Sequence, residues 1–152
     1  MNIWTFSDLH LEFGDPFNTD PPKDVDVVVC AGDVLTRGVT PSIKWLAKNV
    51  ARTVPVVFVA GNHEFYNASI NESMREVERG SGFQNLHFLE NDAVEIGGVV
   101  FAVRARSGGR DVVCAKRDER LQEDKTVEGA VSEVQADRRL SEARRNERLH
   151  RG

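Results

Sequence analysis

Apolar positions along this chain fall into short unbroken runs near its start and thin into a charged stretch near its end. Residues 2–6 (NIWTF), 25–30 (VDVVVC) and 56–60 (VVFVA) are nearly continuous apolar runs, the pattern of strands covered on both faces. Between the second and third, Ile43, Leu46, Ala47 and Val50 recur at i, i+3, i+4 and i+7, which predicts a helix. Thr40 is its expected N-cap and Pro41 its first helical residue. A second helix is predicted to open at Ser69, with Glu72 completing a capping box and Ile70, Met74 and Val77 on one face. Residues 86–89 and 93–101 read as further strands, the latter turning at Gly97-Gly98. Alternating strands and helices of this kind predict an α/β fold, whose parallel strands gather ligands at their C-terminal ends.

The pattern breaks at Val103. Every Phe, Trp and Tyr lies at or before Phe101, and the stretch from Arg104 to Gly152 has none. Up to Val103 there are 7 basic and 14 acidic side chains, a balance of −7; beyond it, 13 basic and 10 acidic, a balance of +3. A segment so charged and free of aromatics buries little apolar surface. We therefore expect two parts: residues 1–103 as the folded, chemistry-bearing part, and 104–152 as a weakly helical or disordered tail, with Val127, Val131 and Val134 its best helical stripe. The abruptness of the change suggests a shift of reading frame near Val103, the tail being translated out of frame.

At 152 residues the chain suits one ordinary domain. Its overall charge of −4 does not point to nucleic acid, whose binding surfaces show a basic excess. No apolar run approaches the roughly 20 residues that cross a bilayer, and residues 1–10 lack the basic start and apolar core expected of a signal peptide. Two cysteines make no disulfide framework, so a cytoplasmic setting is expected.

Polar clusters follow three of the predicted strands. Ser7-Asp8-Leu9-His10 follows the first, Ala31-Gly32-Asp33 the second and Gly61-Asn62-His63-Glu64 the third. Asp8 and His10, two positions apart, would face the same way in extended chain and grip one cation. Asp33 offers two carboxylate oxygens, enough to bridge two ions, and Gly32 lets the backbone turn beside it. Asn62 offers a neutral carbonyl oxygen. His63 suits a proton donor, since imidazoles titrate near neutrality. No Gly-rich dinucleotide or P-loop motif follows the first strand, which disfavours a nucleotide-binding module.

Singly, each of these residues is more often structural: an aspartate caps a helix, and Gly-Asn makes a turn. Their joint order reverses that weighting. Asp8-Leu9-His10, Gly32-Asp33 and Gly61-Asn62-His63-Glu64 resemble the D-x-H, G-D and G-N-H-[DE] signature of the calcineurin-like metallophosphoesterases, and the flanking residues resemble their small bacterial branch. The resemblance implies a four-layer αββα fold with two mixed sheets, of which about the first half is represented by residues 1–103. It implies a hydrolase that cleaves phosphomonoesters or phosphodiesters through two divalent ions (manganese, iron or zinc) and a metal-activated water. Asp8 and His10 would hold the first ion, Asp33 bridge both, Asn62 hold the second, and His63 protonate the leaving group. The expected partner is thus a phosphate-ester substrate, without membrane.

The remaining candidates read as bland. Glu12 and Glu64 are expected at the surface or behind the ligands, Asp24, Asp26 and His150 in solvent, and His87 packed or on a sheet edge. Trp4, Phe6, Trp45 and Phe58 are core candidates. The chain departs from the family pattern in one respect: it has four histidines, and no Gly-His-x-His follows Glu64. An inactive remnant with at most weak metal or phosphate binding is therefore the alternative function.

Overall fold

The computed structural model describes residues 1–14, 17, 19–80, 82–106 and 109–116; for 104–116 it describes the backbone. The chain divides into two units, Met1–Phe88 and Leu89–Gly152. This boundary falls earlier than the expected one at Val103.

In the first unit, β1 (Ile3–Phe6), β2 (Val27–Cys30), β3 (Val56–Phe58) and β4 (Leu86–Phe88) form one parallel sheet in the order β1-β2-β3-β4. Its register lines up two apolar rows, Trp4-Val28-Val56-Leu86 and Phe6-Cys30-Phe58-Phe88. Both rows belong to one core, into which helix α1 (Val39–Asn49) delivers Val39, Ile43 and Leu46. Val28, Val56 and Phe58 are fully buried, and each such side chain contributes about 1.5–3 kcal/mol. Trp4, Phe6 and Trp45 are half-buried around Phe17, with Trp4 and Phe17 stacked at 5.8 Å. Val27, Val29 and Val57, on the alternate positions, are buried too, as unbroken apolar runs predict. Burial pushes the Cys30 thiol up to about 12, so it remains a protonated, inert hydrophobe.

Helix α1 starts at Val39, one residue before the predicted cap. Gly38 takes φ 107°, a backbone that only glycine adopts freely, and turns the chain into the helix. Thr40 is thus helical and donates its hydroxyl to Glu76 Oε2 at 3.2 Å. Pro41 lies in the first turn, where its missing N–H costs nothing. Helix α2 (Ile70–Gly80) follows Ser69 as predicted, but Ile70 is exposed and the buried residue of the face is Ser73. Ser73 closes on Gly38: a Cβ there would lie 3.2 Å from the Ser73 hydroxyl, so the small residues set how near α2 comes. His87 is half-buried on the edge strand β4, in register with Val57.

The second unit is an antiparallel meander of β5 (Ala93–Ile96), β6 (Val99–Arg106) and β7 (Gly109–Lys116). Gly97-Gly98 makes the predicted turn, with φ 57° and 74°. Val99, Phe101 and Val103, alternate residues of β6, are buried. Strand β7 corrects the first part of the expected tail. Its register with β6 runs from Val99↔Lys116 to Arg106↔Gly109, and this distant pairing outweighs a composition that looked helical or irregular. The stripe at Val127, Val131 and Val134, and His150, lie outside the described residues. Residues 1–103 were expected to represent about the first half of a two-sheet fold; the described residues form two sheets, one wholly parallel and the other wholly antiparallel rather than mixed. No helix of the described residues is long and apolar enough to cross a membrane.

Candidate metal centre

Strands β1, β2 and β3 end side by side, and the loops beyond them continue the pairing without strand geometry. Asp8 N–H donates to Gly32 O at 3.1 Å, His10 N–H to Asp33 O at 2.9 Å and Leu11 N–H to Val34 O at 3.0 Å. The chain from Ser7 to Leu11 is thereby laid along the Gly32–Val34 backbone.

Asp8, His10 and Asp33 have positive φ of 57°, 44° and 57°. This corrects the extended geometry expected at Asp8 and His10: both are left-handed, a conformation that costs a non-glycine residue about 1–2 kcal/mol. Backbone bonds to the neighbouring loop hold them there, and strain of this kind gathers at functional sites. The two side chains still meet, with His10 Nε2 at 3.6 Å from Asp8 Oδ1. One donor atom each from Asp8, His10 and Asp33 lies within 4.8 Å of the others. Two carboxylates and an imidazole at that spacing suit a divalent ion of the manganese, iron or zinc type. Ser7 hydroxyl donates to Asp8 Oδ2.

Glycine permits the close approach of the second and third loops. A Cβ on Gly32 would stand 2.7 Å from the Gly61 Cα, and one on Gly61 would stand 2.9 Å from the Asp33 nitrogen. With no Cβ on either, the Asp33 carboxylate lies over Gly61 and accepts the His63 N–H on Oδ1 at 2.8 Å. Asn62, expected beside these residues, donates its amide Nδ2 to the Tyr66 hydroxyl at 2.9 Å. That engagement makes the Asn62 carbonyl oxygen the end of the amide available to a cation.

Glu64 is fully buried, against the surface position that was one of its two expected places. Its Oε1 accepts Val34 N–H at 2.8 Å and the Ser42 hydroxyl at 3.0 Å; Oε2 accepts Asp33 N–H at 3.0 Å and Gly61 N–H at 2.7 Å. One carboxylate thus ties the second loop, the third loop and α1 together. Its place at the end of G-N-H-[DE] was a signal for this, whereas nothing in the sequence located the donors.

His63 opens a 3-10 turn (His63–Phe65), and its Nδ1 lies 2.8 Å from Glu12 Oε1 and 3.0 Å from His10 Nδ1. Glu12 stands on a second such turn (Leu11–Phe13). Burial raises its carboxyl, but the His63 hydrogen bond, a backbone bond and the charge of both imidazoles bring it below the ordinary carboxylate value. Glu12, His10 and His63 make a second group whose donor atoms lie within 4.8 Å of one another. His87 joins neither group.

Comparison with curated proteins and with solved structures returned no match. The family model for calcineurin-like phosphoesterases matches residues 1–147, running past Val103 and through β7. A match over nearly the whole chain, on a parallel sheet whose strand ends carry D-x-H, G-D and G-N-H-E, places this chain in the calcineurin-like phosphoesterase family.

Proposed function

We propose that this chain hydrolyses phosphate monoesters or diesters with two divalent ions, Asp8 and His10 holding one, Asn62 the other and Asp33 both. The observation that carries the reading is the convergence of Asp8, His10 and Asp33 from two adjoining loops, with His63 of the third held on Asp33 by its backbone. When bound, the ions supply positive charge to the phosphoryl oxygens and acidify the attacking water. The left-handed Asp8, His10 and Asp33 place their donors before any ion arrives, which lowers the ordering cost of binding. His63, one residue beyond Asn62, delivers a proton to the leaving oxygen.

Hydrolysis of bis-p-nitrophenyl phosphate and p-nitrophenyl phosphate with added manganese tests this. Asp33→Asn keeps the shape and removes the bridging charge. It should lower the rate by more than the roughly 10–100-fold that loss of an outer hydrogen-bond partner costs. A second reading has its own observation: the sequence lacks the later Gly-His-x-His that completes the family's ligand set. On that reading the chain binds metal or phosphate weakly and turns nothing over. Calorimetric titration separates the two, since tight binding of two ions per chain excludes the second, and weak binding without hydrolysis of either ester excludes the first.

A further inference from the structure

Three potential metal ligands converge on a point that the proposed hydrolysis leaves unused. His10 Nδ1 and His63 Nδ1 are 3.0 Å apart, and Glu12 Oε1 lies 2.8 Å from the second and 3.8 Å from the first. Ligand atoms around a tetrahedral zinc, at bonds of about 2.0–2.2 Å, stand roughly 3.3–3.6 Å from one another. The triangle brackets that spacing, and shifts of about half an ångström would seat an ion. Two imidazoles and a carboxylate are a set that zinc takes, with water as the fourth ligand. Asp8, His10 and Asp33 offer one imidazole and two carboxylates, a harder set closer to what manganese favours.

We propose that His10, Glu12 and His63 form a separate metal site, selective for zinc over manganese, whose occupation excludes the working arrangement. The exclusion follows from His10. A neutral imidazole has one lone pair. His10 therefore holds an ion through Nε2, 3.6 Å from Asp8 Oδ1, or through Nδ1 beside Glu12 and His63, and never both. Zinc in this site takes His10 from the first ion and His63 from the leaving oxygen together, so the chain carries a zinc-inhibited state. All three ligands stand on anchored backbone. His10 N–H donates to Asp33 O at 2.9 Å, His63 N–H to Asp33 Oδ1 at 2.8 Å, and Leu11 N–H, beside Glu12, to Val34 O at 3.0 Å. Ligands held in place before the ion arrives lower the ordering cost of binding it.

The zinc site stands without the phosphoesterase reading, on which only the inhibition rests. The test titrates the full chain with zinc, and with cobalt as its coloured substitute, in the absence of any ester. Wild type should bind one ion tightly and show the intense visible bands of four-coordinate cobalt. Glu12→Gln should weaken that ion more than about 100-fold, beyond the loss of an outer hydrogen-bond partner, and lose the bands. Its far-ultraviolet circular dichroism should match wild type. Asp8→Asn should keep the tight ion and the bands, because Asp8 belongs only to the competing set. No tight zinc in wild type, tight zinc retained in Glu12→Gln, or tight zinc lost in Asp8→Asn would each overturn the proposal. The last two would place zinc with Asp8, His10 and Asp33. With manganese and bis-p-nitrophenyl phosphate, zinc should inhibit wild type at one ion per chain. Glu12→Gln should need about 100-fold more zinc for the same inhibition. Equal zinc sensitivity in the two counts against the proposal. A chain inactive with manganese that still binds zinc through Glu12 counts against the phosphoesterase reading alone.

Discussion

Left-handed backbone occurs in both units of this chain, and the residues that carry it differ. In the second unit it falls on Gly97 and Gly98, in a hairpin turn where a Cβ on Gly98 would touch nothing within 4 Å, and on Asn91, ahead of β5. In the parallel-sheet unit Gly14, Arg37, Gly38 and Asn67 share it, but at the strand ends it falls on Asp8, His10 and Asp33, and on Gly32, where a Cβ would stand 2.7 Å from the Gly61 Cα. The first set is what a hairpin needs at little cost: glycine takes positive φ freely and asparagine tolerates it. The second is paid for by neighbouring structure, through cross-loop hydrogen bonds and the Glu64 carboxylate. The contrast separates a turn that reverses the chain from a turn that aims side chains.

Substitutions that treat the two kinds of turn alike should therefore give unequal results. Gly32→Ala is expected to be the most damaging, because the new Cβ meets backbone rather than a movable side chain and the residue keeps φ 89°. Overpacking at about 1–3 kcal/mol and left-handed strain at about 1–2 kcal/mol together predict a loss of roughly 2–5 kcal/mol. The urea midpoint reports it; a loss below about 1 kcal/mol with unchanged m would show that the two loops have room to part.

Glu64→Gln comes next. A carboxylate accepts on both oxygens, as four donors here require, whereas an amide presents an NH2 on one side. Turned towards Val34 and Ser42, that NH2 meets a hydroxyl that can rotate to accept, and strands the Val34 N–H alone. One stranded buried donor costs about 1–3 kcal/mol, and thermal unfolding should show it. No shift in the melting midpoint would mean that the Glu64 hydrogen bonds hold nothing in place.

The same contrast explains what could be read from the sequence. Unbroken apolar runs made β1, β2 and β3 legible, since burial on both faces leaves a composition that needs no knowledge of partners. The three motifs were legible because each follows a strand, and parallel strands end together. The left-handed turn of Asp8 and His10 was not, because it is imposed by hydrogen bonds to residues 32–34, more than twenty positions away. Glu64 was misjudged in one respect for the same reason: a charged residue in a loop looks solvated until its four donors are found. Strand β7 was missed because β6 supplies its hydrogen bonds whatever its own composition. The division after Phe88 was hidden as well, since composition changes only at Val103.

Gly98→Ala is the smallest effect and the sharpest control. The position has φ 74°, so alanine incurs the left-handed cost of about 1–2 kcal/mol, but it meets no neighbouring atom and adds no overpacking. Alanine also restricts the unfolded chain, which returns about 0.4–1 kcal/mol when the native conformation is accessible. The net loss should be near 1 kcal/mol, clearly smaller than at Gly32, although φ at the two glycines differs by only 15°, 74° against 89°. If the two alanine variants lost equal stability, backbone conformation alone would account for both. The close approach of Gly32 to Gly61 would then carry no energy of its own, and the distinction between a reversing turn and an aiming turn would fail at the pair of residues that expresses it most directly.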